Sequence, residues 1–273
     1  MAILVVAILV NSCKKEETNT NQNSNNNSNT PTTPTGMVKI GETYILGAKT
    51  KAYIYAAQAP FVGYNTFYAA MYDSVDGTQI TDGHFNLSAE MDMGMMKHNC
   101  PVETNEDINA TTKLFSTSMV LIMPGTMGWT LNIDFHNHKN DLEGVGSLPI
   151  QVVESKPVRM MSTVLPLDDS SKVFVSFVLP TKAKVGLNDA EFTIHEMASN
   201  TSFPAITDYT IEMIPTMPSM GHGSPNNVNP VHTSEGHYTG KLNFTMSGLW
   251  EIQLKLYKNG VLLTDKLKFE ITL

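Results

Sequence analysis

The chain has 273 residues and a formal net charge of −8, with 41% of its residues hydrophobic and 16% charged. The apolar share supports packed cores, and the length suits two domains of ordinary size. The acidic balance excludes a nucleic-acid partner, because no basic stripe is present to displace phosphate counterions, and it offers little to anionic lipid headgroups.

Residues 1–12 are an apolar run too short to span a bilayer as a mature helix, and they read as a signal peptide. Val10-Asn11-Ser12-Cys13 resembles the lipobox of bacterial lipoproteins, which implies cleavage before Cys13 and lipidation of its sulfur. Lys14-Lys15-Glu16-Glu17 is similar to the charged export tags of Bacteroidetes surface lipoproteins. The expected location is therefore the bacterial cell envelope, lipid-anchored at the outer membrane and facing either the periplasm or the surface. The rest of 13–36 is Asn, Thr, Ser, Gln and Pro with almost no apolar side chain. Such a segment cannot bury enough surface to offset its ordering entropy, so a disordered tether with an average reach of about 25 Å is expected.

The remainder is a direct repeat, which predicts modules at 37–156 and 168–273. Phe61-Val62-Gly63-Tyr64-Asn65 matches Lys184-Val185-Gly186-Leu187-Asn188, with the glycines 123 residues apart. Met93, Met96, His98 and Pro101 match Met217, Met220, His222 and Pro225 at a spacing of 124. Phe115, Met119, Leu121, Met123 and Gly125 match Tyr238, Leu242, Phe244, Met246 and Gly248, and each set is followed by one of the two tryptophans, Trp129 or Trp250. Strands with two-residue alternation are predicted at 51–57, 66–72, 84–91, 114–122, 129–135 and 148–153 in the first copy. Those of the second copy fall at 172–179, 191–197, 209–213, 237–246, 250–256 and 261–273, with Asn259-Gly260 as a hairpin turn between the last two. About six short strands per copy and no amphipathic helix predict an all-β chain of two tandem immunoglobulin-like sandwiches.

The chain holds 17 methionines and 8 histidines. In the loop from Met213 to Pro225, prolines and glycines break the strand, and thioethers project beside an imidazole. Thioethers suit Cu(I), and imidazole suits copper in either oxidation state, whereas Ca²⁺ and Mg²⁺ require oxygen ligands that this loop lacks. The candidate ligands are Met217, Met220 and His222 in the second copy and Met93, Met96, His98 and Cys100 in the first. Met213, His237, Met246, Met95 and Met123 could add to them. Cys100 has no disulfide partner if Cys13 is acylated, so it reads as a buried thiol or a soft ligand. Met is also a flexible core filler, and on that reading these loops cap the sandwich ends. Met91 alternates in phase with Phe85, Leu87 and Ala89 and reads as core, while Met123 and Met246 share strand faces with Leu121 and Phe244. His136 and His138 fall on one face of a strand, as a chelating pair would, though an exposed turn accounts for them more simply. His84 and His195 read as ordinary surface or edge residues.

At Met217-Pro-Ser-Met220-Gly-His222, followed by Gly236-His237-Tyr238 and Met246-Ser-Gly-Leu-Trp250, the second module resembles the YtkA-like domain. It is also similar to the related FixH-type periplasmic domains. The resemblance spans about residues 170–273 and, more loosely, 40–155. It implies a small immunoglobulin-like sandwich associated with bacterial copper handling and oxidase assembly, with Met217, Met220 and His222 as site residues and Met93, Met96 and His98 as their counterparts. Lys97-His98-Asn99-Cys100 departs from the pattern and leaves open whether both modules take the same ion. The expected function is an envelope lipoprotein that binds copper, Cu(I) above all, as buffer, chaperone or resistance factor, with copper-handling proteins as partners. The alternative is a tandem sandwich that presents its loops to a glycan or protein. No enzyme is expected, since the chain has no Gly-x-Ser-x-Gly elbow, no His-Glu-x-x-His helix and no phosphate-cradling loop.

Overall fold

The computed structural model describes residues 31–104 and 108–273, so the signal run, Cys13 and most of the expected tether lie outside the described residues. Residues 33–273 form one compact unit, and among the described residues there is no helix.

Two immunoglobulin-like β-sandwiches follow one another. The first contains β1 (Val38–Ile45), β2 (Thr50–Ala56), β3 (Gly63–Asp73), β4 (Gln79–Ile80), β5 (Gly83–Asp92), β6 (Lys97–His98), β7 (Val102–Thr104), β8 (Phe115–Leu121), β9 (Gly125–Asn137) and β10 (Leu142–Val152). The second contains β11 (Met160–Leu165), β12 (Ser171–Leu179), β13 (Gly186–Glu196), β14 (Thr210–Met217), β15 (His222–Gly223), β16 (Val228–Ser234), β17 (His237–Phe244), β18 (Leu249–Lys258) and β19 (Val261–Thr272). The first pairs its strands in the orders β1-β2-β3-β8-β7 and β10-β9-β5-β6, and the second in the orders β11-β12-β13-β17-β16 and β15-β14-β18-β19. Apart from β4, which pairs with β3 and has no counterpart, the two topologies are the same.

Alternation drives each sandwich shut. Phe85, Leu87, Ala89 and Met91 of β5 are buried between exposed or half-buried neighbours, as the pleat requires of a strand with one wet face. Phe115 of β8 touches Phe85 and Phe135 of the opposite sheet, with ring centroids 5.5 and 5.6 Å apart. In the second core, Phe269 lies 5.6 Å from Phe177 and 5.9 Å from Phe192 across the sheets. The edge strands β1 and β16 were not legible in the sequence, because most of their side chains are exposed or half-buried and alternate weakly. β11 lies before the expected start at 168 and pairs along β12 from Met160↔Ser176 to Leu165↔Ser171.

The repeated Val-Gly-x-Asn motif is a side-chain staple at the start of β3 and β13. Asn65 Nδ2 donates to the carbonyls of Phe61 and Gly63, both at 2.7 Å, and its Oδ1 accepts from Phe61 N at 3.1 Å. Asn188 does the same with Lys184 and Gly186, at 2.8, 2.8 and 3.0 Å. Gly63 and Gly186 have φ of +134° and +98°, which a side chain would strain. Gly63 then pairs with Leu121 and Gly186 with Phe244, so the staple sets the register of β3 on β8 and of β13 on β17.

The modules share an interface. Phe174 and Met160 pack into the first core, and Asn99 N donates to Asn200 O at 2.8 Å. At its polar part, His237 of β17 stands 3.0 Å from both carboxylate oxygens of Glu103 of β7 and 2.7 Å from Glu191 of β13. Tyr64 donates to Glu103 at 2.6 Å and packs edge-on against His237. Hydrogen bonds to Glu103 and Glu191 raise the pKa of His237 to about 10, against the opposing effect of burial. Burial alone would raise Glu103, but its hydrogen bonds from His237 and Tyr64 hold it below the usual carboxylate range. His195 is buried 3.9 Å from the same carboxylate, and burial takes its pKa down to about 4, outweighing the attraction of Glu103. His195 is neither the surface nor the edge residue expected from the sequence, since it is 4% exposed and its strand β13 is paired on both sides, with β12 and β17.

Two predictions follow from these contacts. Asn188→Ala strips four side-chain hydrogen bonds, one of them a long bond to Leu242 O, and should cost about 1–3 kcal/mol in urea unfolding, as should Asn65→Ala with three. Wild-type stability should peak near pH 6.5, the approximate pKa of an unfolded histidine. The His237 contribution is complete below that pH and is lost as the pH climbs through about 10. On the acid side, the neutral burial of His195 removes stability as the pH falls toward about 4. The Glu103 contribution, present above its unfolded value of 4.5, goes as the pH drops through its lowered pKa. In Glu103→Gln the alkaline decline should shrink by about half, and an unchanged decline would show that the pair is not coupled.

Candidate metal centre

At one end of each sandwich a tryptophan fixes the local structure. Trp129 and Trp250 are fully buried, and a buried indole N–H requires a partner. Trp129 Nε1 donates to the carbonyl of Met123 at 3.0 Å, and Trp250 Nε1 to that of Met246 at 3.1 Å. The corner between β8 and β9, and the matching one between β17 and β18, are tied down by this bond. The histidines pack edge-on against the indoles, with His98 5.4 Å from Trp129 and His222 5.8 Å from Trp250.

Short hairpins bring the histidines in. β6 pairs with β5 so that Met91 faces His98, and β15 pairs with β14 so that Met217 faces His222. Directly paired residues share a face, so each histidine enters beside a buried methionine. Met91 is 5% exposed and Met217 is 2% exposed. The site of a Cβ on Gly128 would lie 2.6 Å from Met91 Sδ, and that on Gly248 3.0 Å from Met217 Cε, so each thioether is seated on a glycine.

The sequence alignment of Met93-x-x-Met96-x-His98 with Met217-x-x-Met220-x-His222 is corrected by this register. The counterpart of Met217 is Met91, and the first hairpin is two residues longer. Met93, Met95 and Met96 stand exposed at its tip, where Met93 N donates to Met96 O at 2.9 Å. Met220 is likewise exposed at the tip of the second hairpin.

His98 meets a sulfur from another direction. Its Nδ1 lies 3.1 Å from the carbonyl of Asn99. A carbonyl can only accept, so Nδ1 carries a proton, and in that neutral tautomer it is Nε2 that keeps the lone pair. Nε2 is 3.3 Å from Met123 Sδ, and a thioether has no proton to give. His222 repeats the arrangement at Nδ1, 2.9 Å from Gly223 O, and Met246 occupies the position of Met123 by its carbonyl bond to Trp250. His98 is buried and His222 half-buried, so the first corner is the more enclosed.

Three other sequence candidates are placed elsewhere. Cys100 is buried in the first core, where burial pushes its thiol pKa upward and keeps it protonated, so the ligand reading gives way to that of an inert core thiol. Met213 is buried in the second core opposite Leu254 of β18. His237 uses both ring nitrogens on carboxylates in the inter-module cluster, which leaves no lone pair for a metal and corrects its assignment as a ligand. What the sequence reading missed is the tryptophan platform; its signal was that both tryptophans follow the Met123 and Met246 corners.

A metal has a feasible place between the paired donors. Bonds of about 2.0 Å to imidazole nitrogen and about 2.3 Å to sulfur reach across 3.3 Å at an angle of about 100°, within the range of three- and four-coordinate sites. The second histidine nitrogen donated to a backbone carbonyl is the orientation that metal-binding histidines adopt.

No curated protein matches the sequence. Among solved structures the chain is similar to Yersinia pseudotuberculosis InvD at 12% identity and a TM-score of 0.27, over 79% of this chain and 54% of that one. The chain thus spans about half the length of that structure. The model of the YtkA-like family matches residues 168–255, a span that includes the Met217–His222 hairpin, Met246 and Trp250. Residues 168–255 form a YtkA-like domain.

Proposed function

We propose that the protein binds Cu(I) at its histidine–methionine corners and serves as a copper buffer, chaperone or resistance factor, held at the bacterial cell envelope by a lipid on Cys13. The observation that carries this reading is the 3.3 Å approach of His98 Nε2 to Met123 Sδ, with Nδ1 engaged by the Asn99 carbonyl. In the first module His98 and Met123 hold the ion, with Met91 across the hairpin. In the second, His222 and Met246 hold it, with Met217 across the hairpin and Met220 at the exposed tip. A neutral imidazole with a thioether is a soft donor set that favours Cu(I) over hard cations. The YtkA-like domain over residues 168–255 is consistent with this role. Exposed Met93, Met95 and Met96 offer further thioethers for handing the ion to a partner protein.

The full chain, purified in mild detergent, should compete for Cu(I) with a chromogenic chelator under anaerobic conditions. Met123→Leu with Met246→Leu keeps the apolar volume and removes the sulfurs, so its melting temperature should stay near that of wild type while Cu(I) affinity falls about tenfold or more. Equal affinity in wild type and variant would sink the corner sites, and failure of folded wild type to compete would sink the copper reading. The loops would then be caps of a module that binds a glycan or a protein.

A further inference from the structure

A second group of donors stands well away from the corners. β5 pairs with β9 in a register that sets His84 opposite His136. His138, the first residue of the turn after β9, brings its ring beside that of His136. The ring centroids of His84 and His138 are 4.6 Å apart, those of His136 and His138 5.0 Å, and those of His84 and His136 5.9 Å. Each ring offers a nitrogen, and the three nitrogens all lie within 4.8 Å of one another.

Two carboxylates hold the rings. Asp82 Oδ1 is 2.8 Å from His138 Nδ1, and Asp141 Oδ1 is 3.0 Å from His136 Nε2. Metal-binding histidines commonly direct their other nitrogen to a carboxylate, which fixes the tautomer and raises ligand basicity. Lys139, the neighbouring cation, is held by Asp73 and Asp76 at 3.0 and 2.5 Å.

We propose that His84, His136 and His138 form a surface site for a divalent transition-metal ion, Zn²⁺ or Cu²⁺, with Asp82 and Asp141 orienting two of the rings. Three imidazoles without sulfur suit these ions. Nitrogens about 2.0–2.1 Å from Zn²⁺ in a tetrahedral site lie about 3.3 Å apart, so the rings close by roughly 1.5 Å. That movement is open to them, since His84 and His138 are exposed and His136 is half-buried. The fourth position faces solvent and would hold water or a donor from another molecule. The site does not rest on the copper reading. His84 and Met91 are seven residues apart on β5, which at about 3.3 Å per residue separates the trihistidine site from the His98 corner by about 23 Å.

The test is calorimetric titration of the full chain in detergent with Zn²⁺, a probe that a single His–Met pair holds poorly. Wild type should bind one ion that His84→Thr loses, and Asp82→Asn with Asp141→Asn should weaken it about tenfold. Met123→Leu with Met246→Leu should leave zinc binding intact, and His84→Thr should leave Cu(I) uptake intact. His138→Asn serves as a second ligand variant should His84→Thr fail to melt cooperatively. Zinc binding of unchanged stoichiometry and affinity in both ligand variants, or none by folded wild type, would overturn the proposal.

Discussion

The bond from a buried indole to a methionine carbonyl organises the histidine–methionine end of each module. Filling the end of a sandwich with tryptophan gains a large buried surface, but it also buries an N–H that must find an acceptor. In both copies the acceptor is the carbonyl of the methionine at the preceding corner, Met123 or Met246. The chain between that methionine and its tryptophan is two residues longer in the first copy, yet the bond survives the insertion. With the corner pinned, the methionine side chain emerges next to the indole, where the histidine of the short hairpin lies edge-on. In the first module the placing of a soft donor beside an imidazole is thus a by-product of satisfying a core hydrogen bond.

The parts of this design legible in the sequence were those written in short-range pattern. Alternation over β5, β17 and β18 gave the strands and their inner faces, and the spaced Gly63/Gly186 and Asn65/Asn188 anchors gave the duplication because they perform one local task. Where pattern and register diverge, pattern misled. Met-x-x-Met-x-His recurs at equal spacing, but strand pairing puts His98 opposite Met91, since the first hairpin takes its two extra residues at the tip. Residues joined over long stretches gave no local signal at all. Glu103 and His237 are 134 residues apart, and nothing near either one announces the other. His84 could have been joined to His136 only by knowing the register of β5 on β9.

The donor sets of the first sandwich divide by softness and by exposure. The corner combines imidazole with thioether in a largely enclosed setting, and the outer face of the same sheet groups imidazoles backed by carboxylates in the open. A strand buried on one face makes this separation natural, since its inner residues must be apolar or fully satisfied while its outer ones are free to carry charge. Methionine can be both core filler and ligand, which is why Met123 fits the first core and still reaches His98.

The contact between the modules also bears on assembly. A repeat that binds its own successor through a head-to-tail surface can recruit copy after copy and grow into filaments. Here the charged partners occur only at the one junction. The register of β7 on β8 and of β16 on β17 puts Val228 in the second module where Glu103 lies in the first. Leu114, just before β8, occupies the place that His237 takes in β17. At the equivalent places the second module carries valine instead of the carboxylate, and the first carries leucine instead of the imidazole. Val228 and Leu114 thus keep this charged contact to the junction between the two modules.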